Sequence, residues 1–144
     1  MSLRTILTWP DERLSVVCEP VAEITDDVRL LAADMLETMY AAPGRGLAAP
    51  QVGELLRLFV MDPTWKEGNP APMICINPDI LSYGDETQSA AEGCLSIPDY
   101  YADVERPESI TVKYLDRDGK EQVTEADGLL ATCLQHEIDH LNGV

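Results

Sequence analysis

Basic residues are scarce in this chain: ten Lys and Arg face 26 Asp and Glu, for a formal net charge of -16. Phosphate contacts need clustered cations, so direct nucleic-acid binding is excluded as a role; the acidic residues are spread along the chain and read as a solvated surface. Long apolar runs are missing as well. No stretch approaches the roughly 20 residues that span a bilayer, so no membrane partner is expected. The opening Met1-Ser2-Leu3-Arg4-Thr5-Ile6-Leu7 lacks the apolar core of a secretory signal. Cysteine is limited to Cys18, Cys75, Cys94 and Cys133, with no C-x-x-C pair. That excludes a dense disulfide framework and points to a reducing cytoplasm. What remains, 144 residues with 45% hydrophobic content, suits a single domain over residues 1–144 that buries its core unaided.

Histidine is scarcer still, and its two copies fall together in His136-Glu137-Ile138-Asp139-His140. This is an H-E-x-x-H pattern. At i and i+4 both imidazoles lie on one helical face and can share a divalent metal, while Glu137 stands beside them to work on an attacking water. The bland alternative is a surface helix whose histidines sit among acidic neighbours. A hydrolytic site needs a third protein ligand and an open position. The third histidine of a metzincin motif would fall beyond Val144, and a downstream glutamate ligand would too, so the third ligand is expected upstream.

Among the upstream thiols, Cys75 sits in the apolar run Met73-Ile74-Cys75-Ile76, and Cys18 has no suggestive neighbours; both read as small core residues. Cys133 precedes His136 by one helical turn, so it either borders the site or packs in the core. Cys94 differs. In Glu92-Gly93-Cys94-Leu95-Ser96 a glycine permits close backbone approach and a carboxylate is near, and a thiolate there completes a Cys-His-His set.

Three ordered blocks, Gly44-Arg45-Gly46-Leu47-Ala48-Ala49-Pro50-Gln51, Glu92 to Ser96, and Gln135 to Leu141, resemble the three motifs of the peptide deformylase family. Connecting segments such as Val104-Glu105-Arg106-Pro107 extend the resemblance over essentially the whole chain. It implies hydrolysis of the N-formyl group from the initiator methionine of new polypeptides, with release of formate. By motif position, Cys94, His136 and His140 would bind the ion and Glu137 would act as general acid and base. The side-chain amide of Gln51 and the backbone N–H of Leu95 would face the developing oxyanion. Gly44, Arg45, Gly46, Glu92, Gly93, Leu129 and Cys133 are the candidate substrate-cleft residues, and Asp99-Tyr100-Tyr101 is a further stretch near the cleft. The expected cofactor is one divalent ion per chain, Fe2+ in the cell with Zn2+ or Ni2+ in purified protein; ligand type alone does not choose among them. The expected partners are formyl-methionyl peptides or nascent chains.

Two features depart from the pattern. Arg45 stands where family members mostly carry an aliphatic residue lining the methionine pocket, and a guanidinium cannot enter such a pocket unpaired without a penalty of several kcal/mol. It either turns outward or changes the pocket. The family's apolar tail does not follow Gly143-Val144, so the metal helix is expected to be held by its own apolar face. Transient ribosome proximity is then expected, rather than contact through a basic terminal helix. Alternatives from other classes are a deformylase-like binder of metal or peptide without turnover, and an H-E-x-x-H peptidase.

Periodicity predicts a helix capped by Thr25 and running to about Tyr40, with Leu30, Leu31, Met35, Leu36 and Met39 as its apolar stripe. Strands are predicted at Leu56 to Met61, at Met73 to Ile76 ending near Asn77-Pro78, and at Ile110 to Leu115. Asp116-Arg117-Asp118-Gly119 reads as a turn, Glu121 to Thr124 returns, and a last helix spans about Asp127 to Asn142. Helix, strands, then metal helix make an α+β architecture, with antiparallel sheets packed around the C-terminal helix and Cys94 on or beside a strand facing it.

Overall fold

Thr25 is extended, and its Oγ1 accepts from the Val28 N–H at 3.3 Å, which starts α1 (Asp26–Ala41) with two acidic residues in its first turn. The computed structural model describes residues 3–143, apart from the side chains of Ala90, Pro98, Asp99, Tyr100 and Ala102. Leu31, Met35 and Met39 are buried at helical spacing and Leu36 is half-buried, but Leu30 stands 49% exposed. The apolar stripe is thus narrower than the sequence predicts. Beside it Asp34 and Thr38 are buried against Arg4, whose guanidinium pairs with Asp34 at 3.0 Å and whose backbone N–H donates to Thr38 Oγ1 at 2.9 Å.

Seven strands follow: β1 (Gly46–Ala48), β2 (Leu58–Met61), β3 (Met73–Tyr83), β4 (Thr87–Cys94), β5 (Ile97–Pro107), β6 (Ser109–Leu115) and β7 (Glu121–Asp127). Helix α2 (Gly128–Leu141) comes last. The main sheet has the order β1-β2-β3-β6-β7, β4 and β5 form a separate hairpin, and every pairing is antiparallel. The fold is α+β.

Strand β2 shows why the sheet sits where it does. All four of its residues are buried, because Leu58 and Val60 join the cluster of Leu31, Met35 and Met39, while Phe59 and Met61 join that of Leu134, Ile138 and Leu141. Successive side chains point to opposite faces, so α1 covers one side and α2 the other. Full burial of a residue such as Leu134 stabilises the fold by roughly 2 kcal/mol.

Two predicted boundaries move. The strand expected from Leu56 begins at Leu58, since Leu56 instead makes a parallel bridge with Glu19. Strand β3 does not stop at Asn77-Pro78 but runs on to Tyr83 through a bulge between Ile76 and Asp79. Asn77 adopts φ 52°, and its side-chain amide bonds the backbone of Val21 at 2.8 and 2.9 Å. An irregular ladder needs no N–H from Pro78, so the proline is tolerated.

Gly128, at φ 54°, turns the end of β7 directly into α2, and its N–H donates to Glu108 O at 3.1 Å. The apolar face of α2 (Ala131, Leu134, Ile138, Leu141) packs on Phe59, Cys75 and Val112. At its other end Leu141 O accepts from Cys18 N–H at 2.9 Å and from Arg57 Nη1 at 3.2 Å, a cation suited to a helix C-terminus. The helix is therefore held by its apolar face and by a capped last turn.

Candidate metal centre

The hydrophobic side of α2 fixes the rotation of its other side, where His136 and His140 stand one turn apart with ring centroids 4.9 Å from each other. Cys94, the last residue of β4, brings its Sγ to 3.3 Å from His140 Nε2. One ligand atom from each of Cys94, His136 and His140 lies within 4.8 Å of the others. Thiolate and imidazole at about 2.3 and 2.0 Å from an ion in tetrahedral geometry require separations of this order, so the donor set fits a divalent metal.

The electrostatics agree with that fit. Burial pushes the Cys94 thiol up, but bonding from His136 and His140 outweighs it and draws the pKa down to about 5. Burial pushes the His136 imidazole down, yet Cys94, Glu137 and Glu92 together raise it to about 9. The pocket is thus built to hold a thiolate against positive charge. By contrast Cys75 is fully buried, with its pKa raised by desolvation, and Cys18 is buried too; both are core residues.

Glu137 is almost out of water, its Oε2 has no partner among the described residues, and burial raises its pKa against the pull of both histidines. Gly46 explains how it fits. A Cβ there would sit 3.0 Å from the Glu137 carboxyl, so glycine lets β1 approach without displacing the carboxyl, although its φ is ordinary. At Gly44 a Cβ would meet Leu95 Cδ1 at 2.7 Å, and the Leu95 side chain would have to turn aside. Close packing, not positive φ, is what these two glycines provide.

Gln51 is 1% exposed and fixed at both ends of its amide. Its Oε1 accepts from Ala48 N–H at 2.9 Å, while Nε2 donates to Ser96 Oγ at 3.0 Å and to Cys94 Sγ at 3.4 Å. The amide nitrogen is thereby oriented toward the Cys-His-His cluster.

An open cleft of about 610 Å³ leads to these groups. Gly44, Arg45, Gly46, Glu92, Gly93, Leu129 and Cys133 all line it, as do Gln51, Leu95 and Tyr101; the side chains of Asp99 and Tyr100 lie outside the described residues. Cys133 is a wall residue, its thiol pushed up to about 12 by burial and so inert. Arg45 turns its Nη2 to Glu67 at 2.9 Å, the outward course open to it.

Glu92 reaches the cleft, but its oxygens are engaged. Oε1 faces His136 Nδ1 at 3.0 Å, and Arg106 clamps the carboxylate with Nε and Nη2 at 2.8 and 2.9 Å. A third guanidinium nitrogen reaches Asp139 at 2.7 Å. Sequence reasoning missed Arg106 and Asp139 as parts of the centre. The only available signal was Arg106 inside a motif-like connecting segment. Lys66, Thr132 and Ile97 in the cleft wall gave none.

Donors that could hold an ion, beside a carboxylate free to move a proton, are the equipment of a metal-dependent hydrolase. The family profile described as polypeptide deformylase matches residues 3–144, and the chain belongs to that family, whose activity is metal-dependent deformylation. The peptide deformylase of Rhizobium meliloti is 57% identical over 144 residues, covering the whole of this chain and 83% of the relative; that of Brucella suis is 57% identical over 145, covering all of this chain and 82% of the relative. Among solved structures, peptide deformylase from Ehrlichia chaffeensis in complex with actinonin superposes with a TM-score of 0.94 at 47% identity, covering 100% of this chain and 86% of that one. The Thermotoga maritima enzyme gives 0.93 at 42% identity, covering 99% and 93%.

Proposed function

We propose that this chain, acting as one catalytic domain, hydrolyses the N-formyl group from the initiator formyl-methionine of nascent polypeptides in the cytoplasm, close to the ribosome. What carries this is the convergence of Cys94 with both imidazoles beside a buried Glu137 whose Oε2 has no partner among the described residues. Among the described residues no helix is long and apolar enough to cross a membrane.

Cys94, His136 and His140 would hold the ion, Fe2+ in the cell and Zn2+ or Ni2+ where these replace it, since a mixed thiolate and imidazole set suits all three. Bound there, the ion supplies Lewis acidity that makes a hydrolytic water acidic near neutral pH. Glu137, its carboxyl raised by burial, takes the water's proton as oxygen joins the formyl carbon. It returns that proton to nitrogen as the C–N bond breaks, so that formate and a free amine leave. Gln51 Nε2 and the Leu95 backbone N–H are assigned to the formyl oxygen. Nε2 now donates to Ser96 Oγ and Cys94 Sγ, and a developing oxyanion would take the place of one of them. Losing one such preorganised donor costs about 3 kcal/mol of barrier.

The test is formate release from a formyl-methionyl peptide, with elemental analysis of the same preparation. Formate together with a free N-terminal amine is the expected result. Cleavage of the peptide bond without formate would identify an H-E-x-x-H peptidase instead, and bound ion with neither product would identify a binder.

A further inference from the structure

Arg45 lies on the approach to β1 and lines the cleft near Leu129 and Cys133. Its guanidinium makes one ion pair, Nη2 to Glu67 Oε1 at 2.9 Å, between side chains that are 39% and 52% exposed. The neighbouring Nε is buried and has no acceptor among the described residues. In arginine, Nε–H and one Nη–H form a fork that takes both oxygens of a carboxylate. Arg106 shows that fork filled, with Nε and Nη2 both on Glu92. In Arg45 it is half filled.

A second cation stands nearby. Lys66 also lines the cleft, is exposed, rests 5.9 Å over the Trp65 ring, and has no ion pair among the described residues. Trp65 Nε1 donates to Gly44 O at 2.8 Å, which pins this segment against the one bearing Arg45. Of the carboxylates on the cleft wall, Glu92 is neutralised by Arg106 and Glu137 belongs to the reaction centre. A chain of net charge -16 thus presents cations where a peptide enters.

We infer that Arg45, supported by Lys66, is a specificity-determining residue that makes the cleft favour formyl peptides carrying a carboxylate side chain close behind the formylated methionine. This rests on the deformylase reading above. The exposed Glu67 pair is worth little, so Arg45 Nη2 exchanges it readily for a substrate carboxylate, and a swing of the guanidinium out of the wall brings the buried Nε to the same carboxylate. At physiological ionic strength the screening length is about 8 Å, so the repulsion of the distant acidic surface fades while the contact at Arg45 persists.

The experiment measures kcat/KM at about 0.15 M salt for formyl-Met-Ala-Ala and for peptides with Asp or Lys at the second or third residue, using the parent, Arg45→Met and Glu67→Gln. The parent should prefer Asp over Lys by about fivefold at one of these positions, the scale of a single solvent-near charge pair. Arg45→Met should bring that ratio toward one, and Glu67→Gln should raise it by freeing the fork. A parent ratio near one, or a ratio that neither variant moves, overturns the inference. Formate from the neutral peptide without charge preference leaves the deformylase reading standing and removes only this selectivity; no formate from any peptide removes both.

Discussion

Glu92 and Glu137 flank the same imidazole, one at 3.0 Å from His136 Nδ1 and the other 4.0 Å from Nε2, and their side chains are 7% and 6% exposed. Their surroundings push them in opposite directions. Burial raises Glu92, but Arg106 and His136 outweigh it and hold the carboxyl below its ordinary value. Burial also raises Glu137, and there the histidines do not reverse it. A bound guanidinium therefore makes one carboxylate a fixed charge that orients an imidazole, while its absence leaves the other suited to the proton-carrying role proposed for it. Role follows partner, not residue type.

The comparison breaks most readily at the unpaired member. Glu137→Gln keeps size and removes the base, so kcat should fall at least ~100-fold while metal content, read by elemental analysis, matches the parent. Undiminished turnover would sink the role assigned to Glu137. On the paired side, Arg106→Met leaves Glu92 buried and uncompensated, which should destabilise the protein by about 3 kcal/mol in denaturant unfolding. Adding Glu92→Met should recover most of that loss, because the penalty is an uncompensated charge rather than a missing contact. A single variant as stable as the parent would show that Arg106 does not hold Glu92.

The two carboxylates are unequally legible in the amino-acid sequence. Glu137 announces itself, because H-E-x-x-H places three functional groups on one turn of one helix, and a helix is a local object. Cys94 and Gln51 are legible through short blocks whose geometry is also mostly local. Glu92 is visible only as a neighbour of Cys94, since its clamp is Arg106, itself tied to Asp139, and these lie 14 and 47 positions further along the chain (106 − 92; 139 − 92). No periodicity encodes that meeting. The fold divides in the same way. Helices α1 and α2 and the β6–β7 hairpin carry strong local signals, whereas the Asn77-Pro78 dipeptide reads as a stop and is instead absorbed as a bulge by the Val21 backbone. Leu30 reads as core by its spacing but stands half exposed, while Asp34 and Thr38 are buried against Arg4.

A gentler variant sharpens the comparison by moving Glu137 without changing its chemistry. In Gly46→Ala the new Cβ would sit 3.0 Å from the Glu137 carboxyl and displace it by a few tenths of an ångström. A base misplaced by that much should slow kcat by about tenfold, with KM little changed. An equal loss in a peptide-binding assay would mean the glycine serves substrate entry and not the carboxylate.

Asp116 supplies a third environment, and the smallest effect: a carboxylate in open water whose pKa is lowered by hydrogen bonds rather than by a buried partner. It accepts from Lys120 N–H at 3.0 Å, Gln122 Nε2 at 3.0 Å and Asp118 N–H at 2.9 Å, and its carboxyl lies below the ordinary range. These bonds favour the charged form, so the stability they contribute is present above the unfolded pKa near 4 and is lost as pH falls through the folded value. The stability gap between the parent and Asp116→Asn should therefore narrow between about pH 6 and about pH 3, as followed by the denaturation midpoint. A gap that stays constant over that range would mean the turn is held by geometry that an amide reproduces. Burial would then be required for a carboxylate's partners to matter, and the contrast between Glu92 and Glu137 would belong to the interior alone.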